Sequence, residues 1–261
     1  MTISPTLLSM FLVLLWLPGC KPKVEAKAPV RVAAAADLTA AFEELGKVFE
    51  QQTGQKAIFT FGSTGQLTKQ IQQGAPFDVL AAANVSFVDQ AVKSGACDGA
   101  SRAFYARGRV AIWSKQGGVE PAAKLEDLAD PRFIKIAIAN PEHAPYGQAA
   151  RDALKSAGVW AAVEPRLVFG ENVRQTLQLA ETGNVEAAIV ALSLVIQDKA
   201  NPWLVIDDAL HPPIDQALAV CKHGANAEGG RAFATLVNSP SGRELMRRYG
   251  FLLPGEDGRA K

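Results

Sequence analysis

An excess of charge of either sign is missing from this chain: 27 Lys and Arg stand against 26 Asp and Glu, a formal net charge of +1 over 261 residues. Without a basic surplus, counterion-driven binding to nucleic acid has no footing. Cysteine and histidine are scarce, at three each. Cys97 and Cys221 sit in no Cys-x-x-Cys and beside no His at ligand spacing, and His143, His211 and His223 show no His-x-x-x-His pattern, so a zinc centre is not supported. The two cysteines read as small core residues, although an exported protein could join them. The apolar run Leu7 to Leu17 has 11 residues, about half of what a membrane-spanning helix needs.

What is present is a globular composition, with 48% hydrophobic and 20% charged residues, enough for one large or two small domains. No charged side chain occurs in the first 19 residues, and the apolar run reads as the core of a signal peptide over residues 1–19. It ends in Leu17-Pro18-Gly19-Cys20, which resembles a bacterial lipobox and makes Cys20 a candidate for acylation; ordinary signal cleavage nearby, or an uncleaved anchor, is the alternative. Residues 20–29 are polar, with two prolines among 21–29, and suit a tether.

From Val30 onward strands and helices alternate. Val30 to Ala36 is a strand, and Leu38, Ala41, Phe42, Leu45 and Phe49 follow at helical spacing. Lys56 to Phe61, Asp78 to Ala82, Arg109 to Trp113 and Ile134 to Ala139 read as further strands, with helices between. This order implies an α/β fold of parallel sheets covered by helices. A half-hidden repeat suggests two similar lobes. Phe61-Gly62-Ser63-Thr64 leads into a helix, Gly74 closes it and Asp78 opens a strand; Phe169-Gly170-Glu171-Asn172, Gly183 and Glu186 repeat the plan, with 17 positions from Phe to acid in both copies. The strand Gln216 to Lys222 and two helices after it return the chain to the first lobe. The expected division is 30–108 and 216–254 for lobe 1, 109–215 for lobe 2, and 255–261 as a tail.

The loop Gly62-Ser63-Thr64-Gly65 joins a strand to a helix N-terminus, where backbone N–H groups and hydroxyls can meet an anion without a cation. It is neither a Walker A loop nor a nucleophile elbow. Three other strand ends can converge on it: Ala36-Asp37, the segment Pro141 to Gly147, and Glu171 to Arg174. Each has a plainer reading, with Asp37 as a helix cap, Pro145 as a turn former, Tyr146 as a packed aromatic and Arg174 as a surface partner of Glu171. No set of nucleophile, base and orienting acid stands out, so an enzyme is not expected.

The strings AAAADLTAAFEELGKVFEQQTG, FTFGSTGQLTKQIQQGAPFDVLAAAN, IAIANPEHAPYGQAA, GENVRQTLQLAETGNVEAAIVA and RRYGF, in this order, resemble the periplasmic molybdate-binding proteins of ABC transporters, over about Val30 to Phe251. The resemblance implies a two-lobed type II solute-binding fold that closes on a tetrahedral oxyanion, molybdate or tungstate, and passes it to a membrane permease. It implies no cofactor and no directly ligated metal, a monomer, and a place in the periplasm or at the cell surface; the lipobox adds membrane attachment through Cys20. Carried over by position, the ligand contacts fall on Asp37, Thr64, Tyr146, Val173 and Ala191, with Ser63 beside them. Two positions depart, since the family commonly has Ser at position 37 and Tyr at 191. For Asp37 three readings stand: its carboxylate turns away to cap the following helix, which is favoured; it faces a different ligand; or it coordinates the metal of the oxyanion, as in archaeal relatives. The alternatives for the whole chain are the same scaffold carrying another small anion or a chelated metal, or an enzyme acting on a phosphorylated or acylated substrate through Ser63 or Thr64 with His143 as base.

Overall fold

The computed structural model describes residues 1–2 and 28–255. The signal segment, Cys20 and most of the predicted tether and tail lie outside the described residues.

Val30–Ala35 forms β1, Val and Ala residues buried on both faces with Arg31 alone exposed. A 3-10 turn, Ala36–Leu38, leads into α1, Thr39–Thr53, which buries Ala41, Phe42, Leu45 and Phe49 on one stripe. There follow β2 (Ala57–Gly62), α2 (Thr64–Gln72), β3 (Val79–Ala82), α3 (Val85–Lys93) and β4 (Ala103–Gly108). After the single residue Arg109 come β5 (Val110–Ser114), β6 (Ile136–Ala139), α4 (Pro145–Ser156), α5 (Trp160–Val163), β7 (Leu167–Gly170), α6 (Val173–Glu181), β8 (Ala187–Ala191), α7 (Leu192–Val195) and β9 (Trp203–Val205). The last elements are β10 (Ile214–Val220), α8 (Ala227–Asn238) and α9 (Pro240–Arg248).

Two five-stranded sheets result, ordered β2-β1-β3-β10-β4 and β7-β6-β8-β5-β9. They share one topology. In each, three parallel strands are followed by one antiparallel strand, β10 or β5. The sheets are therefore mixed rather than purely parallel, because β5 and β10 are the strands that begin directly after a crossing between sheets. The fold is α/β with two lobes. β4, which the hydrophobic pattern leaves unmarked, is an edge strand beside β10; its exposure follows no clean alternation, and the pairing slips at Gln216/Ala217.

The repeat has a physical cause. β2-α2-β3 and β7-α6-β8 occupy matching places in the two sheets, and Gly74 and Gly183 both take positive φ, at 90° and 77°, just past their helices. The repeated acids pin the strand starts. Asp78 donates its N–H to the Arg31 carbonyl at 2.8 Å and accepts the Arg31 N–H on Oδ2 at 2.7 Å. Glu186 does the same to Lys135, at 3.1 and 2.6 Å. Asp78 also accepts the Asn226 N–H at 2.6 Å, tying α8 to the first sheet.

Cys97 and Cys221 are joined in a disulfide across an antiparallel bridge, 124 positions apart in sequence. This corrects their reading as separate core residues: β10 lies beside β3 and brings the end of the chain to the loop after α3. The first lobe is otherwise held by an aromatic cluster in which Phe42, Phe49 and Phe59 surround Phe233, with ring centres 5.5 to 5.7 Å away. Phe42, Phe49 and Phe233, fully buried, contribute about 1.5–3 kcal/mol each, and the half-buried Phe59 less.

Candidate functional site

The carboxyl ends of the parallel strands of both sheets face one cleft, the usual place for a ligand in open α/β sheets. From the first sheet come Ala35 to Asp37 after β1, Gly62 to Thr64 after β2 and Ala83 after β3; from the second come Ala144 to Tyr146 after β6, and Asn172 and Val173 after β7. The pocket they line is tight, with a cavity volume of about 10 Å³ for the centre of a water-sized body. No Lys, Arg or His is among its lining residues.

Three helices begin at this pocket, α2 at Thr64, α4 at Pro145 and α6 at Val173. The N–H groups of a first helical turn have no acceptor within their helix, and they carry the positive end of the helix dipole. Asn172 caps α6 by accepting from the N–H groups of Arg174 and Gln175, both at 3.0 Å, which leaves that of Val173 to the pocket. Thr64 Oγ1 accepts the N–H of Ala83 at 3.1 Å, so its hydroxyl proton is free to serve a ligand.

Ser63 lines the pocket but its proton is engaged. Its Oγ donates to the His143 carbonyl at 2.6 Å and lies 2.8 Å from His143 Nδ1. With the serine proton given to the carbonyl, the imidazole does not act as its base. The group is a clasp between lobes, extended by Gly65 N–H to His143 O at 3.0 Å and Gln66 Nε2 to Glu171 at 2.8 Å. His143 Nε2 stands 3.8 Å from Glu171.

Asp37 lies at the centre, 1% exposed. It caps no helix: α1 has Leu38 at its N-cap with no side-chain cap, and Thr39 Oγ1 meets the Ala36 carbonyl. The expectation of a cap fails because the 3-10 turn sets Asp37 ahead of the helix, where better donors reach it. Its Oδ2 accepts from the Tyr146 hydroxyl at 2.9 Å and from Gln216 Nε2 at 2.6 Å. Gln216 is oriented by Tyr105, whose hydroxyl donates to Oε1 at 2.7 Å, and Ser193 Oγ donates to the Asp37 carbonyl at 2.7 Å. Asp37 Oδ1 is buried and has no hydrogen-bond partner among the described residues. Burial raises the Asp37 carboxyl from 3.8 to about 6, against the bonds from Gln216 and Tyr146, which lower it. Tyr146 and Tyr105 are both pushed well above the usual phenol range, first by burial and then by the nearby Asp37 charge. Gly108, at the crossing between sheets, makes room for this group, since a Cβ there would overlap the Tyr146 hydroxyl.

Of the residues singled out in the sequence, Asp37, Ser63, Thr64, Tyr146 and Val173 come together in the pocket. Ala191 is not among its lining residues; it is fully buried at the end of β8, paired with Val110. Sequence reasoning missed Gln216, Tyr105 and Ser193, which sit behind Asp37. A glycine at 108 is the one local signal that could have marked a crowded spot there.

Residues 30–252 match the family described as bacterial extracellular solute-binding protein. The molybdate-binding protein ModA of Rhodobacter capsulatus is 35% identical over 227 residues, covering 85% of this chain and 88% of that one. ModA of Azotobacter vinelandii is 36% identical over 230 residues, covering 86% and 90%. The solved periplasmic molybdate-binding protein of Azotobacter vinelandii superposes with a TM-score of 0.80 at 28% identity, over 86% of this chain and 99% of that structure. These relatives are binding proteins, in keeping with a pocket that has no base for Ser63. The chain belongs to the bacterial extracellular solute-binding proteins, in the group that includes these molybdate-binding relatives.

Proposed function

We propose that this chain is the extracytoplasmic binding component of an ABC importer, that it takes up molybdate or tungstate in the cleft between its lobes, and that it hands the ion to a membrane permease. The observation that carries the reading is the meeting of three helix N-termini from two sheets at a pocket without a cation. Such a pocket suits a fully deprotonated tetrahedral dianion, which needs donors all round. The relatives' names agree with that ligand. The lobes, 30–108 with 216–254 and 109–215, would close through the segments at 108–110 and 206–213. Ala191, in place of a phenol, leaves the family's side-chain donor at that position to other groups.

Calorimetry of the chain without its first 19 residues against molybdate, tungstate, sulfate and phosphate tests this. One site per chain with molybdate or tungstate bound well ahead of phosphate is expected; equal affinity for phosphate overturns it. Anchoring through Cys20 belongs to the same proposal. Cys20→Ser should release the protein from membranes or leave an uncleaved precursor, and normal processing and retention would rule the anchor out.

A further inference from the structure

We propose that Asp37 enters the complex as a neutral carboxylic acid and donates its Oδ1 proton to the bound oxyanion, so that the cleft takes up a dianion together with one proton from solution. This rests on the oxyanion reading above and goes beyond it by making one residue set the pH dependence of binding.

The hydrogen bonds carry the argument. A carbonyl oxygen has two acceptor sites, whereas the hydroxyl oxygen of a protonated carboxyl has a proton to give. Oδ2 of Asp37 has both sites filled, by Tyr146 and Gln216, and behaves as the carbonyl oxygen. Oδ1, buried and without a partner in a residue that lines the pocket, is left as the O–H. An ionised carboxylate would leave an unpaired charged oxygen buried beside the ligand's own charge, which is the costlier state.

Among the described residues no cation is paired with Asp37; Arg109, beside Gly108 at the crossing, stands 3.3 Å from Asp208 instead. Tyr146 on α4 and Tyr105 on β4 are the titratable groups that face it, and both stay neutral because their phenols are pushed up. Gln216 on β10 and Ser193 on α7 are uncharged. On α6 Arg174 is exposed and paired with Glu181, and on α1 Glu44 is paired with Arg248. Across the pocket His143 and Glu171 engage Ser63 and Gln66. With the carboxyl raised to about 6, the ligand-free protein is mostly ionised at Asp37 above neutrality and must gain the proton on binding.

The test is calorimetry of the chain without its signal segment with sodium molybdate at pH 7.5, in two buffers of different ionisation enthalpy, repeated from pH 5 to 9. Uptake of about one proton per ion at pH 7.5 is expected, shrinking toward zero at pH 5, with affinity falling about tenfold per pH unit above 7. Asp37→Asn places an amide N–H where Oδ1 stands. It should abolish the uptake, flatten the pH profile and bind molybdate at least tenfold more tightly than the parent at pH 8. Tight binding by the parent without uptake overturns the proposal alone, whether or not the variant folds. Uptake that persists in Asp37→Asn assigns the proton elsewhere and also overturns it. Failure to bind molybdate or tungstate at any pH, or a preference for phosphate, overturns the oxyanion reading and this inference with it.

Discussion

The Tyr146 hydroxyl donates to Asp37 Oδ2 at 2.9 Å, linking the first turn of a helix on one sheet to the turn after the opening strand of the other. The bond is buried and sits behind the pocket, so the approach of the two lobes and the state of the carboxyl are one structural event. Tyr146→Phe removes the donor while keeping the ring, and at pH 5, where Asp37 is already protonated, it should weaken molybdate binding by about 0.5–1.5 kcal/mol, the worth of one hydrogen bond. The companion measurement is small-angle scattering of the parent protein, whose radius of gyration should fall when molybdate is added. Tight binding at constant radius would mean a preformed pocket and no closure.

Thr64 gives a separate prediction. Its oxygen accepts from Ala83 and its proton is left for the ligand, so Thr64→Ala removes a ligand donor and strands a buried N–H. Affinity for molybdate should drop by about 1.5–3 kcal/mol, the range for a bond to a charged group, and unfolding free energy by about 1–3 kcal/mol. Thr64→Ser keeps the oxygen and should restore most of both. A Ser variant as impaired as Ala in calorimetry would show that the methyl group matters and not the hydroxyl.

The repeated acids differ in weight. Asp78 is buried and accepts two backbone N–H groups, those of Arg31 and Asn226, whereas Glu186 is half-buried and accepts one. Asp78→Ala should destabilise the protein by about 2–5 kcal/mol, and Glu186→Ala by about 1 kcal/mol or less. Thermal unfolding of the two variants checks the order, and equal losses would mean that burial and the second bond, from Asn226, give Asp78 no added weight.

These acids also mark what a sequence can reveal. The 17-residue spacing from Phe to acid is legible because helix length, turn glycine and strand start are all local, and the local signals agree in both copies. The Gly62 to Gly65 loop is legible for the same reason. What escaped depends on distant pairing. Gln216 inside a strand looks like any polar residue in alternation until β10 is known to lie beside β3 and β4. Cys97 and Cys221 meet only through that same insertion. Asp37 misleads because an acid just before an apolar helical stripe resembles a cap, and a 3-10 turn of three residues, which no pattern in the sequence marks, changes its role.

That change of role has a consequence for stability that does not need the ligand. The folded carboxyl of Asp37 titrates near 6, against 3.8 for the ordinary group. Between those values the folded protein holds a proton that the unfolded chain has released, so stability falls as pH rises through this window. The full benefit is present below about pH 3.8 and is lost above about pH 6, and a shift of this size corresponds to about 3 kcal/mol. Asn at position 37 keeps the shape, can offer its carbonyl oxygen to Tyr146 and Gln216, and does not ionise. Asp37→Asn should therefore match the parent near pH 4 and exceed it by up to about 3 kcal/mol above pH 7, at about 2–4 °C of Tm per kcal/mol. Scans of both proteins at pH 4, 5, 6, 7 and 8 measure the gap directly. A gap that opens with rising pH supports a buried acid that resists ionisation, whereas a constant gap, or one that closes, would show that Asp37 is held as a carboxylate in the folded protein.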